Sequence, residues 1–231
     1  MSENELVLLR DTFAHIIPKY NEINDIIVSM LDFTPSRPVR IVDLGCGFGE
    51  LSRRLLSALP AAVVFGLDVH QGVLQIAKSS LSEYEDRFLP FVRDLNGDGW
   101  SEGLASLDGV VSAFALDFTT HTRHRELIRQ AYHLLKPGGR WVTGEFFQSR
   151  DPWINRLFHD MEVRFVKNSL KDGLVNESQI DRLSESTLFR GPHYICEIDE
   201  KIGWLRQTGF EKIDVPWRFL NLAIISGVRG S

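Results

Sequence analysis

Apolar residues open the chain at helical spacing, Leu6, Leu9, Phe13, Ile16 and Ile17, until Pro18 interrupts. A second run, Ile23, Ile26, Ile27, Met30 and Leu31, keeps that period, and residues 34–38 read as a loop. From Val39 onward, short apolar runs alternate with amphipathic stretches. Residues 39–44, 62–67, 88–92, 107–116 and 140–147 read as strands, and 51–59, 73–81 and 125–135 as helices. Pro60 stops the first of those helices, and Lys136-Pro137-Gly138-Gly139 stops the last. This alternation predicts a parallel sheet with helices on both faces. Residues 148–208 break the rhythm with longer, more polar helical stretches, which read as a lid over the sheet's carboxyl edge. Residues 211–215 and 220–226 then return to strand character, and their short connection makes at least one antiparallel. The prediction is a single α/β domain over 1–231, with a helical cap at 1–34 and an inserted lid at 148–208. Its mostly parallel seven-stranded sheet ends in an antiparallel strand.

Composition changes this picture little. A chain of 231 residues buries roughly 70% of its unfolded surface and needs no disulfide or structural metal. Hydrophobic residues at 43% and charged residues at 25% exclude a disordered chain. The net charge of −5 argues against a protein that grips nucleic acid through its overall field. Cys46 and Cys196, far apart, make neither a disulfide framework nor a zinc spacing. The acidic start is not followed by an apolar leader, and the apolar run 110–116 falls far short of the ~18 residues of a membrane span. These features read as a cytoplasmic enzyme-sized domain.

Candidate chemistry concentrates in Val39-Arg40-Ile41-Val42-Asp43-Leu44-Gly45-Cys46-Gly47-Phe48-Gly49-Glu50. An apolar strand runs into an acid, glycines follow at alternate positions, and a helix begins. Glycines let the backbone approach a ligand and take positive φ. The loop lies where open α/β sheets bind ligands, at the carboxyl end of the first strand. A dinucleotide fingerprint would put its third glycine at position 50. Glu50 stands there and would repel a pyrophosphate. Asp43 instead suits a cationic group, an amine or a sulfonium, or else caps the following helix.

This pattern resembles class I S-adenosylmethionine-dependent methyltransferases over nearly the whole chain, which implies their Rossmann-like fold and S-adenosylmethionine as cofactor. Asp43 to Gly49 is similar to the family's first motif, with Gly45, Gly47 and Gly49 as its glycines. Phe65-Gly66-Leu67-Asp68 is similar to the second, which gives Asp68 the ribose hydroxyls; an ordinary strand-end acid is the alternative. Arg93-Asp94-Leu95 resembles the third: Asp94 would accept from the adenine amino group and Leu95 pack on the ring, unless Asp94 is a plain turn residue. The resemblance also carries Val69 and Ser112 into the cofactor set. Residues 134–139 look like the family's turn into the fifth strand. Cys46 reads as a small space-filler rather than a nucleophile.

Two finer resemblances bear on the acceptor. Residues 13–24 are similar to the start of quinone-biosynthesis C-methyltransferases and their small-molecule relatives, where the tyrosine, here Tyr20, lies by the active site. Residues 202–210 and 215–221 look like a group labelled tRNA-uridine-oxyacetate-methyltransferase-like, to which carboxy-S-adenosylmethionine synthase is related. Many relatives carry a histidine pair after strand four; this chain has Phe114 to His121 instead. His121, Tyr20 and Glu145 are the catalytic candidates, His121 as a base or a solvated loop residue, and Glu145 as a strand-end acid near the cofactor edge or a helix-capping or salt-bridged residue. Arg190 and His193 are further acceptor-side candidates, in a loop or lid. His121, His124 and Glu126 lack the acid pair of metal-dependent enzymes, so no metal is expected. The leading reading is methyl transfer to a small, partly hydrophobic acceptor. An RNA methyltransferase and a carboxy-S-adenosylmethionine synthase-like enzyme are the alternatives. The oligomeric state stays open, with a homodimer carried forward.

Overall fold

A computed structural model describes residues 3–185 and 193–231. Its elements are α1 (Glu3–Ile16), α2 (Tyr20–Met30), β1 (Val39–Leu44), α3 (Glu50–Ala58), β2 (Ala62–Asp68), α4 (Gln71–Ser80), β3 (Phe88–Val92), β4 (Leu107–Ala113), α5 (His121–Leu134), β5 (Leu135–Phe146), α6 (Pro152–Lys171), α7 (Glu177–Glu185), α8 (Ile198–Thr208), β6 (Phe210–Phe219) and β7 (Leu222–Arg229). The central strands are apolar on both faces because both are covered. β1 is buried at every position but Arg40. The seven strands lie in the order β3-β2-β1-β4-β5-β7-β6. The first five are parallel, and β7 runs antiparallel to both β5 and β6.

Helical stripes cover the two faces. Leu127, Ile128 and Ala131 of α5 and Trp204 and Leu205 of α8 pack with Val42, Leu44, Phe65 and Val110 on one face. Ile23 and Ile27 of α2, Leu51 and Leu55 of α3 and Leu74 of α4 pack with Ile41, Val64, Val111 and Val142 on the other. The segment 148–208 therefore divides. α6 and α7 pack on α1, whereas α8 lies against α5 and β6 in the core rather than over the site.

Other boundaries move for local reasons. β4 ends at Ala113, because Phe114 takes a φ of 58° and a 3-10 turn follows over Leu116–Phe118. α5 begins at His121, not 125, since Thr120 caps it by accepting the Arg123 N–H at 3.2 Å. β5 begins at Leu135, so Lys136-Pro137-Gly138-Gly139 is an irregularity inside the strand rather than a turn before it. β6 runs on to Phe219 through Pro216, which an edge strand accommodates. At the amino end of the sheet, Asp108 is 2% exposed and accepts from Arg37 at 3.0 Å, the Arg40 N–H at 2.9 Å and Lys136 at 2.8 Å. Among the described residues, no helix is long and apolar enough to cross a membrane.

Candidate active site

Strand order reverses between β1 and β4, so the chain leaves their carboxyl ends in opposite directions. A cleft opens there, as such a switch point dictates. Its floor is the glycine loop. Gly45 has a φ of +69°, and a Cβ on it would lie 2.2 Å from the Ala115 Cβ. Gly49, at +84°, caps α3. Gly47, at +54°, has nothing within 4 Å of its Cβ position, so its backbone faces open space on the cleft. Cys46 is buried with its sulfur under Gly66, and burial raises its thiol well above the ordinary value: it fills space.

Two carboxylates stand over this loop. Asp43, 1% exposed, accepts a hydrogen bond from the Ser52 hydroxyl at 2.7 Å. Burial raises its pKa to about 7 against the pull of Ser52, and the nearby Asp68 charge adds to the rise. Asp68 accepts from the Gly47 N–H at 3.0 Å and from the His70 N–H at 2.9 Å, tying the loop to the start of α4. Burial raises its pKa too, although those bonds oppose the shift. Glu50 also lines the cleft. Burial works to raise its carboxyl, but hydrogen bonds from Arg53 and Arg54 leave it lowered.

Beyond Asp68 the wall continues through Val69, His70, Arg93, Asp94, Leu95 and Asn96. Val69 is an apolar residue left 51% exposed at the cleft. Asp94 serves a turn, accepting the Asn96 N–H at 2.8 Å, and lines the cleft as well. Ser112 does not line it. It is fully buried on β4 and donates to the Leu44 carbonyl at 2.7 Å, bracing the two strands that frame the opening.

The opposite wall is aromatic. Tyr20 stacks on Phe114 at 5.6 Å between centroids and on Phe13 at 6.4 Å, and all three line the cleft. The positive φ at Phe114 sends the chain round to this wall. Burial, with Glu50 nearby, pushes the Tyr20 phenol above its ordinary value, so it stays protonated.

The other acceptor-side candidates lie elsewhere. His121 is not on the cleft; it packs on Trp204 at 5.7 Å and on Tyr194 at 6.5 Å. Glu145 is 2% exposed on β5 and 2.7 Å from Lys201, a lysine with no exposed surface that also contacts the His124 Nε2. His193 stands behind the 3-10 turn, its Nδ1 2.6 Å from Asp117 and its ring 4.5 Å from the cleft residue Phe118. Arg190 lies outside the described residues. Among the described residues, no group of three or more His, Cys, Asp or Glu could hold a metal ion.

Glu145 is thus salt-bridged, one of its two expected roles, but nothing expected Lys201 and His124 as its partners. A signal exists: Lys201 falls on the apolar stripe of α8 marked by Ile198 and Leu205.

Comparison with known proteins agrees with this geometry. Residues 41–139 match the family model described as a methyltransferase domain. A ubiquinone/menaquinone biosynthesis C-methyltransferase of Methylobacterium nodulans is 25% identical over 173 residues, covering 68% of this chain and 67% of that one. A carboxy-S-adenosyl-L-methionine synthase of Hamiltonella defensa is 23% identical over 222 residues, covering 93% and 82%. Human N-acetylserotonin methyltransferase, solved with S-adenosylmethionine, shares the fold at a TM-score of 0.63 and 19% identity; the alignment covers all of this chain and 57% of that one. This chain spans little more than half the length of several other solved relatives. The matched segment, residues 41–139, is a methyltransferase domain by its family model, and these comparisons support a class I S-adenosylmethionine-dependent methyltransferase. The cofactor that these comparisons support is S-adenosylmethionine.

Proposed function

We propose that the protein moves a methyl group from S-adenosylmethionine to a small, partly apolar acceptor by in-line displacement. One observation carries the reading: the row of rings Phe13, Tyr20 and Phe114 shares a cleft with Asp43, Asp68 and Asp94. The cleft fits the cofactor, with open backbone at Gly47, buried acids for cationic and hydroxyl groups, and the apolar Val69 and Leu95 for a base. When bound, the cofactor supplies an electrophilic methyl group on sulfur. Asp43 would balance its cationic end, Asp68 would accept from ribose hydroxyls, and Asp94 from the adenine amino group. The aromatic wall excludes water and orients a flat or apolar acceptor, and its π-faces favour a cation beside them. Tyr20 would donate a hydrogen bond to the acceptor.

A carboxylated cofactor would need a cation at the acceptor end. The basic residues among the described lining, His70 and Arg93, adjoin Asp68 and Asp94 instead. This arrangement favours methyl transfer. The experiment is native mass spectrometry of the purified protein, followed by incubation with methyl-labelled S-adenosylmethionine and a panel of small aromatic and aliphatic acceptors. Label in an acceptor supports the reading. A co-purified carboxylated cofactor, or label only in RNA, overturns it.

Asp43 gives a pH dependence. In the empty protein its pKa is raised from 3.8 to about 7, so its share of stability is present at low pH and lost as pH rises through about 7. A cationic ligand favours the ionised form. Affinity for S-adenosylhomocysteine is therefore expected to weaken as pH falls below about 7, by up to about tenfold per unit. Calorimetric titration from pH 8 to 6 reads this, and Asp43→Asn should flatten the profile. An equally steep profile in that variant would remove Asp43 from the role.

A further inference from the structure

The two walls that would enclose the adenine come from different strand ends. Asp94, Leu95 and Asn96 follow β3, and Phe118 and Thr119 follow β4. One buried side chain ties the first wall to the element that continues the second. Arg123, in the first turn of α5, is 8% exposed. Its Nε donates to the Leu95 carbonyl at 2.7 Å, and one terminal nitrogen donates to the Gly97 carbonyl. The other terminal nitrogen is 2.9 Å from Glu126 and 3.5 Å from Asp98. Its own N–H is fixed by the Thr120 cap, immediately after the cleft residue Thr119. A weaker tie spans the same gap, from the Asn96 Nδ2 to the Phe118 carbonyl at 3.4 Å.

A guanidinium is a planar fork and holds two carbonyls in one fixed geometry, which a lysine ammonium cannot reproduce. The Asn96 N–H holds the Asp94 Oδ1, so any shift of the backbone at 95–97 turns that carboxylate with it. We propose that Arg123 is a positioning residue that sets the width of the adenine slot and thereby the protein's choice of a 6-amino over a 6-oxo purine. The inference rests on the proposed role of Asp94 and Leu95 as adenine contacts.

The test compares S-adenosylhomocysteine with S-inosylhomocysteine, which carries an oxo group in place of the amino group. Dissociation constants of both are measured by calorimetry on the full chain, wild type and Arg123→Lys, with melting curves alongside. The wild type is expected to prefer the adenine ligand by about tenfold, the worth of one good hydrogen bond. Arg123→Lys should reduce that preference to about threefold or less. Asp94→Ala should abolish it, and the double variant should behave as Asp94→Ala alone. A residue that merely supports the fold would weaken both ligands together and leave the ratio unmoved; that outcome overturns the inference. If the wild type itself does not discriminate, the reading of Asp94 fails and Arg123 has nothing to position. If Arg123→Lys does not fold, Arg123→Gln, which retains an amide donor, is read in the same way.

Discussion

Lys201→Met is expected to lower the melting temperature by about 10 °C. Lys201 has no exposed surface, is 2.7 Å from Glu145, touches the His124 Nε2, and lies 5.5 Å from the centre of the Trp141 ring. Removing the amine leaves the Glu145 carboxylate buried without its cation. Breaking a buried pair from one side costs about 3–5 kcal/mol, and each kcal/mol moves the midpoint about 2–4 °C in a domain of this size. Replacing both partners is a different matter. Lys201→Met with Glu145→Leu should recover most of the loss, because no uncompensated charge remains. His124 adds a pH dependence. Burial, with Lys201 and His121 nearby, holds its pKa well below 6.5, so it stays neutral in the fold while the unfolded chain takes a proton. Stability should therefore fall as pH drops below about 6.5, by up to about 1.4 kcal/mol per unit. Calorimetric melts of the three proteins between pH 5 and 8 check both statements. A single variant that melts with the wild type would show that the cluster does not hold β5 to α5 and α8.

Gly45→Ala is expected to remove measurable S-adenosylhomocysteine binding at concentrations that saturate the wild type, and to cost about 3 kcal/mol of stability. Two effects add. A φ of +69° disfavours any residue with a Cβ, by about 1–2 kcal/mol. The new methyl would also sit 2.2 Å from the Ala115 Cβ, and packing strain of this kind costs about 1–3 kcal/mol. The backbone must move to relieve the clash, and Gly45 adjoins Cys46 and Gly47, which also form the cleft floor. Ala115→Gly in the same chain restores the space but not the dihedral, so it should return part of the stability. Gly138→Ala is the control. It has a φ of +76°, nothing within 4 Å of its Cβ position and no place in the cleft, so it should cost about 1 kcal/mol and leave binding intact. Full binding in Gly45→Ala would mean that this loop does not cradle the ligand.

The residues that carry the fold and line the cleft were legible in the sequence for a common reason: each obeys a local rule. Strand β1 reads from its unbroken apolar run, and the loop at Gly45, Gly47 and Gly49 from glycine's tolerance of positive φ. Asp43 and Asp68 read from their places at strand ends. The places of the other candidates depend on contacts between distant segments, which no local rule supplies. Glu145 ends a strand like the two acids, yet Lys201, 56 positions along the chain, draws it into the core. Ser112 sits one residue before the strand's last position and turns inward to Leu44. His121 begins a helix after strand four, but the Phe118–Thr119 segment takes the cleft and leaves the histidine on Trp204. The core position of α8 was not legible because a helix buried against α5 and β6 carries enough charge to resemble a surface one.

The anchoring of Asp108 separates two jobs along the sheet. Arg37, Arg40 and Lys136 converge on it at the amino end, from the segment before β1, from β1 and from β5. The strand register is thus pinned at the end opposite the cleft. Loops at the carboxyl end make no part of this anchor, so changes in the cleft leave the pinned frame untouched. For an engineer, sequence diversity belongs on the carboxyl-end loops, and Asp108 is the residue to leave alone.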